Sequence, residues 1–283
     1  MQLCTISTPA GPRPAVNVVG RGAILTSDLL GRDTPDLMDH LVRDEFEEIA
    51  QALERNAESA PLRESPVFDA PLRNPTKILG IGLNYTAHAG DLGAQAPRTS
   101  PASFLKGNHT IIGPQEAIAV PPGIGKVTAE AELGLIIGGH CYRVGEDDAL
   151  SYVAGVCAVL DQTAEQVLLE NPRFLTRVKN YPTFLSLGPV IITMDEVLEA
   201  VGDLSRLSVA TIHNGTIHRR ALVESMIFSP AELLSFHSYV MPFSPGDILL
   251  TGTPGAAAII PGDEVSCDLG SGLTVLTNRV VAG

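Results

Sequence analysis

Residues 129–138 read AEAELGLIIG. Glu130 and Glu132 stand two apart at the head of an otherwise apolar run. In a strand, residues two apart point to one side, so both carboxylates share a face. The aliphatic residues Leu133, Leu135, Ile136 and Ile137 predict a strand buried on both faces. Like charges so placed repel one another and resist desolvation. A divalent cation between them would relieve both costs; a wet strand end with no role is the alternative, and the pair alone leaves both open. A third acid narrows the choice. The apolar run YVAGVCAVLD, 152–161, ends in Asp161, and a carboxylate closing such a run needs a partner or solvent. Three carboxylates without Cys or His suit a hard, oxygen-seeking ion: Mg²⁺ or Mn²⁺, with Ca²⁺ a further candidate.

Composition sets the frame. The chain has 283 residues, 45% hydrophobic and 18% charged, with 27 Gly and 21 Pro. That is enough apolar material for a sizeable core and favours a turn-rich, mostly β protein of the α+β class. A net charge of −13 argues against nucleic acid and anionic membrane surfaces as partners. It does not exclude an anionic small substrate, since a bound cation inverts the sign of a site locally. Four scattered cysteines, Cys4, Cys141, Cys157 and Cys267, point to reduced thiols and a cytoplasmic setting. The N-terminus MQLCTISTPAG has no basic-then-apolar leader, and no apolar run is long enough to span a bilayer. Asn84, Asn108 and Asn214 each begin an Asn-x-Thr triplet, read as chance matches.

Along the chain, Thr34 and Pro35 predict a helix start, with Thr34 as cap, and Leu37, Leu41, Phe46, Ile49 and Leu53 give it an apolar face to about residue 57. PLRESPVFDAPLRNP, 61–75, holds four prolines and reads as an extended connector. It divides a small N-terminal α+β domain, 1–70, from a main domain, 71–283. KILGIGL, ELGLIIG, PVIIT and DILLTG read as strands. Ser229-Pro230-Ala231-Glu232 is a capping box that opens a helix to about Val240. GIGLNY, 80–85, starts like a dinucleotide loop but has Tyr85 where a third glycine belongs. Nucleophile-elbow, phosphate-loop and zinc spacings are absent from the sequence. His88 and Asp91 follow KILGIGL as a His-x-x-Asp pair, a candidate general base and its orienting carboxylate if the turn is helical. A surface histidine in a polar turn is the alternative.

KILGIGLNYTAHAGD, FLKGNHTIIGP, AEAELGLIIG, YVAGVCAVLD, Lys179 with TFLSLGP, HNG, MIF and PGDILLTGTPG occur in this order. The series resembles the fumarylacetoacetate hydrolase family over about residues 75–283, with an N-terminal stretch similar in character to that of the longer bacterial members. The resemblance implies a mixed β-roll or sandwich fold and a homodimer. It implies Mg²⁺ or Mn²⁺ on Glu130, Glu132 and Asp161. It places the catalytic histidine at His88, with Asp91 where the family usually has a glutamate. Lys179 would bind or polarise the substrate carbonyl. Tyr85, Lys106 and Thr251-Gly252-Thr253 would line the substrate, the last through hydroxyls and backbone N–H groups. The implied activity is hydrolysis of a carbon–carbon bond in a β-diketone or acylpyruvate-like compound, a small anionic keto acid. Decarboxylation or keto–enol isomerisation of a β-keto acid is the second reading, and a non-catalytic binding protein the third. Residues 85–100, with Gly90, Gly93 and Pro97, suggest a lid. The sequence departs from the family pattern at Glu165, in place of an arginine, at Leu168, in place of a glutamine, and at Pro182, in place of an aspartate. The first inverts the local sign where an acidic substrate would be held.

Overall fold

The computed structural model describes residues 1–91 and 97–283; the side chains of His88, Ala89 and Asp91 lie outside the description. Among the described residues thirteen strands form one sheet and five another, a mostly β fold of the α+β class. Through the large sheet run, side by side, Leu62–Arg63, Gly22–Leu25, Gly11–Val18, Gln2–Thr8, Leu185–Thr193, Val153–Thr163, Val127–Ile137, Ile248–Leu250, Ile78–Gly82 and Ala102–Lys106. The smaller sheet orders Thr216–Leu222, Ser208–His213, Glu264–Asp268, Val275–Ala282 and Ile118–Val120.

At the centre lie two eleven-residue strands, here the glutamate strand, Val127–Ile137, and the aspartate strand, Val153–Thr163. All residues of the glutamate strand are buried, as its apolar pattern predicts for a strand covered on both faces. The two pair antiparallel, with Glu130 opposite Asp161 and Thr128 opposite Thr163. This register brings the acids of two distant segments to one place.

On its other edge the glutamate strand changes partner midway. Val127–Glu130 pair with Ile259–Ala256, while Gly134–Ile136 pair with Leu250–Ile248. Between these ladders the segment Thr251–Gly255 runs along the same edge outside both of them. Thr251 donates both its N–H and its hydroxyl to the Leu133 carbonyl, at 3.1 and 2.9 Å. Thr211 of the smaller sheet bridges the remaining gap: its hydroxyl accepts the Ala131 N–H and donates to the Gly255 carbonyl. Side-chain hydroxyls thus replace ladder bonds where the pairing breaks.

The helix expected over residues 34–57 is in fact two, Leu37–Val42 and Phe46–Asn56. Asp44 between them has φ 55°, a left-handed conformation that ends a helix. Asp36, not Thr34, is the cap; its side chain accepts the Met38 N–H at 2.9 Å. The turn lets His40, fully buried, meet Glu45 through Nδ1 at 2.6 Å and Thr26 through Nε2 at 2.9 Å. The helix Pro230–Val240 carries the capping box read from the sequence. The four cysteines are free and buried. Burial pushes the thiols up, Cys4 to about 12 and Cys141 to about 11, so they stay protonated at neutral pH. No helix among the described residues is long and apolar enough to cross a membrane.

Residues 1–70 join the rest edge to edge. Gln2, Leu3 and Cys4 pair with Ile192, Ile191 and Val190. Leu3, Val16, Ile24, Leu41 and Ile49 share one core cluster with Ile78, Leu187 and Ile191. We propose that residues 1–70 form an accessory unit on a 71–283 catalytic unit. Removing them would expose a sheet edge and much of that cluster. A 71–283 fragment should therefore aggregate or bind a hydrophobic dye strongly; a soluble fragment keeping the full-length Tm would contradict this dependence.

Candidate metal centre

Glu130, Glu132 and Asp161 each present a carboxylate oxygen within 4.8 Å of the others, and all three residues are buried. Octahedral Mg²⁺ at about 2.1 Å from its oxygens separates ligand atoms by up to about 4.2 Å, so a small adjustment would put a common ion within reach. The donor set is all oxygen, as Mg²⁺ and Mn²⁺ require. The residues fit a hard divalent cation.

Each carboxylate is held differently. Asp161 receives two ammonium groups, Lys106 Nζ on Oδ1 and Lys179 Nζ on Oδ2, both at 2.6 Å. Burial pushes its pKa up, but the two lysines outweigh that and hold it below the ordinary range. Glu130 accepts the Thr163 hydroxyl at 2.8 Å and the Thr128 hydroxyl at 3.3 Å on Oε1, and Lys179 Nζ at 3.1 Å on Oε2. Glu132 accepts the Gly252 N–H at 2.7 Å. Burial, and then Asp161, push its pKa well above the ordinary value. Asp161 and Glu130 each pair with a lysine. Among the described residues no lysine pairs with Glu132, which lies beside the other two acids.

Both lysines are buried; only 5% of Lys106 and 6% of Lys179 is exposed. Burial would lower Lys179, but Asp161, Glu130 and Glu132 raise it above the usual lysine range, so it stays protonated. Burial lowers Lys106. Lys179 Nζ also donates to the Thr163 hydroxyl at 2.6 Å and lies 4.6 Å from the centre of the Phe104 ring. Phe104 and Lys106 share a face of their strand. A Cβ on Gly80 would fall 2.3 Å from the Phe104 ring. That explains the first glycine of GIGLNY: it makes room for the ring that meets the lysine.

The Thr251-Gly252-Thr253 turn closes one wall. Gly252 has φ 92°, and a Cβ there would come 2.9 Å from Cβ of Asn84. Asn84 ties three segments together: its side chain donates to the Thr251 and Phe228 carbonyls and accepts the Phe228 N–H. The Thr253 hydroxyl donates to the Gly255 carbonyl at 3.2 Å. The turn's polar groups therefore serve the fold and Glu132. Tyr85 is buried and its hydroxyl has no hydrogen-bond partner among the described residues. Burial, and then Glu132, push that hydroxyl up, so it stays protonated. His88 and Asp91 lie on the helix Thr86–Asp91, as the sequence allowed, but their side chains lie outside the described residues, as does part of the segment read as a lid.

Sequence reading missed Thr128, Thr163, Phe104 and Asn84. For the two threonines a signal existed: each lies two residues from an acid of the metal set on the same face. Glu165 also differs from expectation. It does not simply invert the local charge, because Lys126 Nζ sits 2.7 Å from its Oε1.

Residues 77–281 match the family model described as fumarylacetoacetate (FAA) hydrolase, C-terminal. The chain belongs to the fumarylacetoacetate hydrolase family, whose members are enzymes. It is 31% identical over 246 residues to the mitochondrial oxaloacetate tautomerase of Rattus norvegicus, covering 83% of this chain and 77% of that protein. Among solved structures, maleylpyruvate hydrolase from Sphingobium sp. SYK-6, in complex with manganese(II) and pyruvate, superposes with a TM-score of 0.83 at 26% identity, covering 100% of both chains. The 5-carboxymethyl-2-hydroxymuconate delta-isomerase from Mycobacterium smegmatis gives 0.76 at 29%, covering 100% of this chain and 99% of that one.

Two substitutions separate the roles of the acids. Glu132→Gln removes a buried charge that faces like charges and keeps an acceptor for Gly252. It should raise the Tm of metal-free protein by about 2–4 °C, the equivalent of roughly 1 kcal/mol, and remove any stabilisation by Mn²⁺. Asp161→Asn leaves two buried ammoniums without their shared anion and should cost about 3–5 kcal/mol. Thermal melts with EDTA and with Mn²⁺ check both signs.

Proposed function

We propose that the chain is a divalent-metal-dependent hydrolase that cleaves the carbon–carbon bond of a β-diketone or acylpyruvate-like keto acid. The supporting observation is the convergence of three buried carboxylates with two buried ammoniums at one break in the sheet. A divalent ion, Mg²⁺ or Mn²⁺, held by Glu130, Glu132 and Asp161 supplies Lewis-acid stabilisation of negative charge on the keto-acid oxygens. The maleylpyruvate hydrolase likeness, with its manganese(II) and pyruvate, supports that assignment.

The chain's own residues then divide the remaining work. His88, oriented by Asp91, takes a proton from water. The hydroxide adds to the carbonyl distal to the carboxylate. The bond between that carbon and its neighbour breaks, the electron pair leaves on the neighbour as an enolate, and the proton held by His88 passes to the neighbour, the enolate carbon. Lys179 stays protonated and so serves as a fixed positive charge beside the enolate rather than as a base. Lys106 and Phe104 fix the Asp161 and Lys179 side chains in place. Tyr85, Thr251, Gly252 and Thr253 form the substrate wall, and Tyr85 offers its hydroxyl as a donor. We further propose that the protein works as a homodimer.

A second reading is keto–enol isomerisation or decarboxylation of a β-keto acid at the same centre. The identity to the rat oxaloacetate tautomerase supports it. Products separate the readings: two acids for hydrolysis, CO₂ for decarboxylation, an isomer alone for tautomerisation. With Mn²⁺ and a panel of acylpyruvates, His88→Ala should lower turnover by about 10²–10⁴ while leaving the metal titration unchanged. Unaltered kcat in that variant would remove His88 from the mechanism.

A further inference from the structure

The two oxygens of Glu130 are unequally occupied. Oε1 accepts two hydroxyls, from Thr163 at 2.8 Å and from Thr128 at 3.3 Å. A carboxylate oxygen offers about two acceptor positions, so this one is full. Among the described residues Oε2 accepts one hydrogen bond, from Lys179 Nζ at 3.1 Å. Oε2 is therefore the oxygen with room for a cation, and an ammonium already sits on it. The threonines enforce that division. Each lies two residues from an acid on its own strand, and the strand register sets them opposite one another.

Lys179 holds Glu130 less tightly than it holds its other partners. Its contacts to Asp161 Oδ2 and to the Thr163 hydroxyl are both 2.6 Å, against 3.1 Å to Glu130. An ammonium has three donors. Two meet Asp161 and Thr163, and the third goes to Glu130. The Phe104 ring packs beside Nζ, 4.6 Å from its centre. Nζ can thus give up Glu130 and keep every other contact. A divalent ion on Oε2 would supply the reason to do so. Lys179, Glu130 and Asp161 are all buried, and two cations sharing one oxygen repel strongly where water screens them little. In the metal-free centre, by contrast, the same ammonium is needed. Among the described residues it is the cation that pairs with Glu130, and a buried carboxylate without one is costly.

We propose that Lys179 is the resident counter-ion of the metal-free centre, that it competes with the divalent ion for Glu130 Oε2, and that metal loading releases one N–H of its ammonium for a substrate oxygen. This rests on the metal-dependent reading above and deepens it, because the positioning of the lysine then follows from the loading of the metal. Thr163 keeps the released ammonium in the site, and its hydroxyl remains on Glu130 Oε1.

The test uses the full-length protein and the metal alone. Lys179→Met keeps an unbranched apolar side chain against Phe104 and removes the competing charge. Calorimetry should give a Mn²⁺ dissociation constant lower by about tenfold or more in Lys179→Met than in wild type. In EDTA the variant should melt below wild type, because its acids have lost a counter-ion, and saturating Mn²⁺ should raise its Tm by more. Crystals of wild type grown with and without Mn²⁺ give a second readout that needs no variant to fold. The Lys179 Nζ to Glu130 Oε2 contact, 3.1 Å here, should open beyond about 3.5 Å in the loaded protein, while the contact to Asp161 Oδ2 persists. A Mn²⁺ affinity unchanged or weakened in Lys179→Met, or a loaded wild type that keeps the Glu130 contact, overturns the proposal. If wild type and variant both bind Mn²⁺ with equal affinity, the metal-dependent reading stands and this proposal alone falls. If neither binds Mn²⁺, the metal-dependent reading falls and takes the proposal with it.

Discussion

Asp161 and its two lysines are the contact on which the site depends. A fully buried carboxylate is costly unless paired and hydrogen-bonded. Lys106 and Lys179 come from separate elements, one from the strand Ala102–Lys106 and one from the helix Leu175–Lys179. Each engages a different oxygen of Asp161. The pairing therefore fixes the carboxylate's orientation and also docks two peripheral elements on the central strands. Lys179 extends the network to Glu130 and Thr163, so displacement of any member would move the rest. Charged sites built this way owe their geometry to the sheet, which is stiffer than a loop.

The break in the glutamate strand's pairing is the second constraint. An uninterrupted ladder on that edge would leave Glu132 without the turn that meets it. Instead the chain leaves the ladder after Leu250, bulges through Thr251–Gly255, and rejoins the same edge at Ala256. The bulge delivers the Gly252 N–H to Glu132. Gly252 must be glycine for two separate reasons, its positive φ and the proximity of Asn84. Asn84, in turn, precedes the helix that carries His88. The proposed base and the acids are thus tied through a single asparagine.

Much of this was legible in the sequence, because the informative residues sit in regular strands. The two-residue period of AEAE and the apolar context of Asp161 put three acids on buried faces, and the capping box marked the helix Pro230–Val240. What the sequence could not supply was register. Whether Glu130 faces Asp161 or Val159 depends on long-range pairing, and a slip of one residue would turn the acids apart. The burial of Lys106 and Lys179 was hidden for the same reason, since their partner lies in another segment. The helix break at Asp44 was missed because an apolar face continues across it, while a buried His40–Glu45 contact decides the turn.

Stability alone does not account for such a cluster. Buried ion pairs contribute little net stability, and apolar replacements of similar volume often fold as well or better. Here the balance is less favourable still, because Glu132 is held by a backbone N–H rather than a lysine and lies among other carboxylates. The strands could close on aliphatic side chains at those positions, as they do at Ala129, Ala131 and Leu133. A fold that keeps such an acid in the middle of its longest strands does so at a cost to the metal-free state. A cation bound there would recover that cost, because relief of the repulsion would add to the affinity of the site. The glutamate without a lysine is therefore a stronger pointer to metal binding than the two acids that have one.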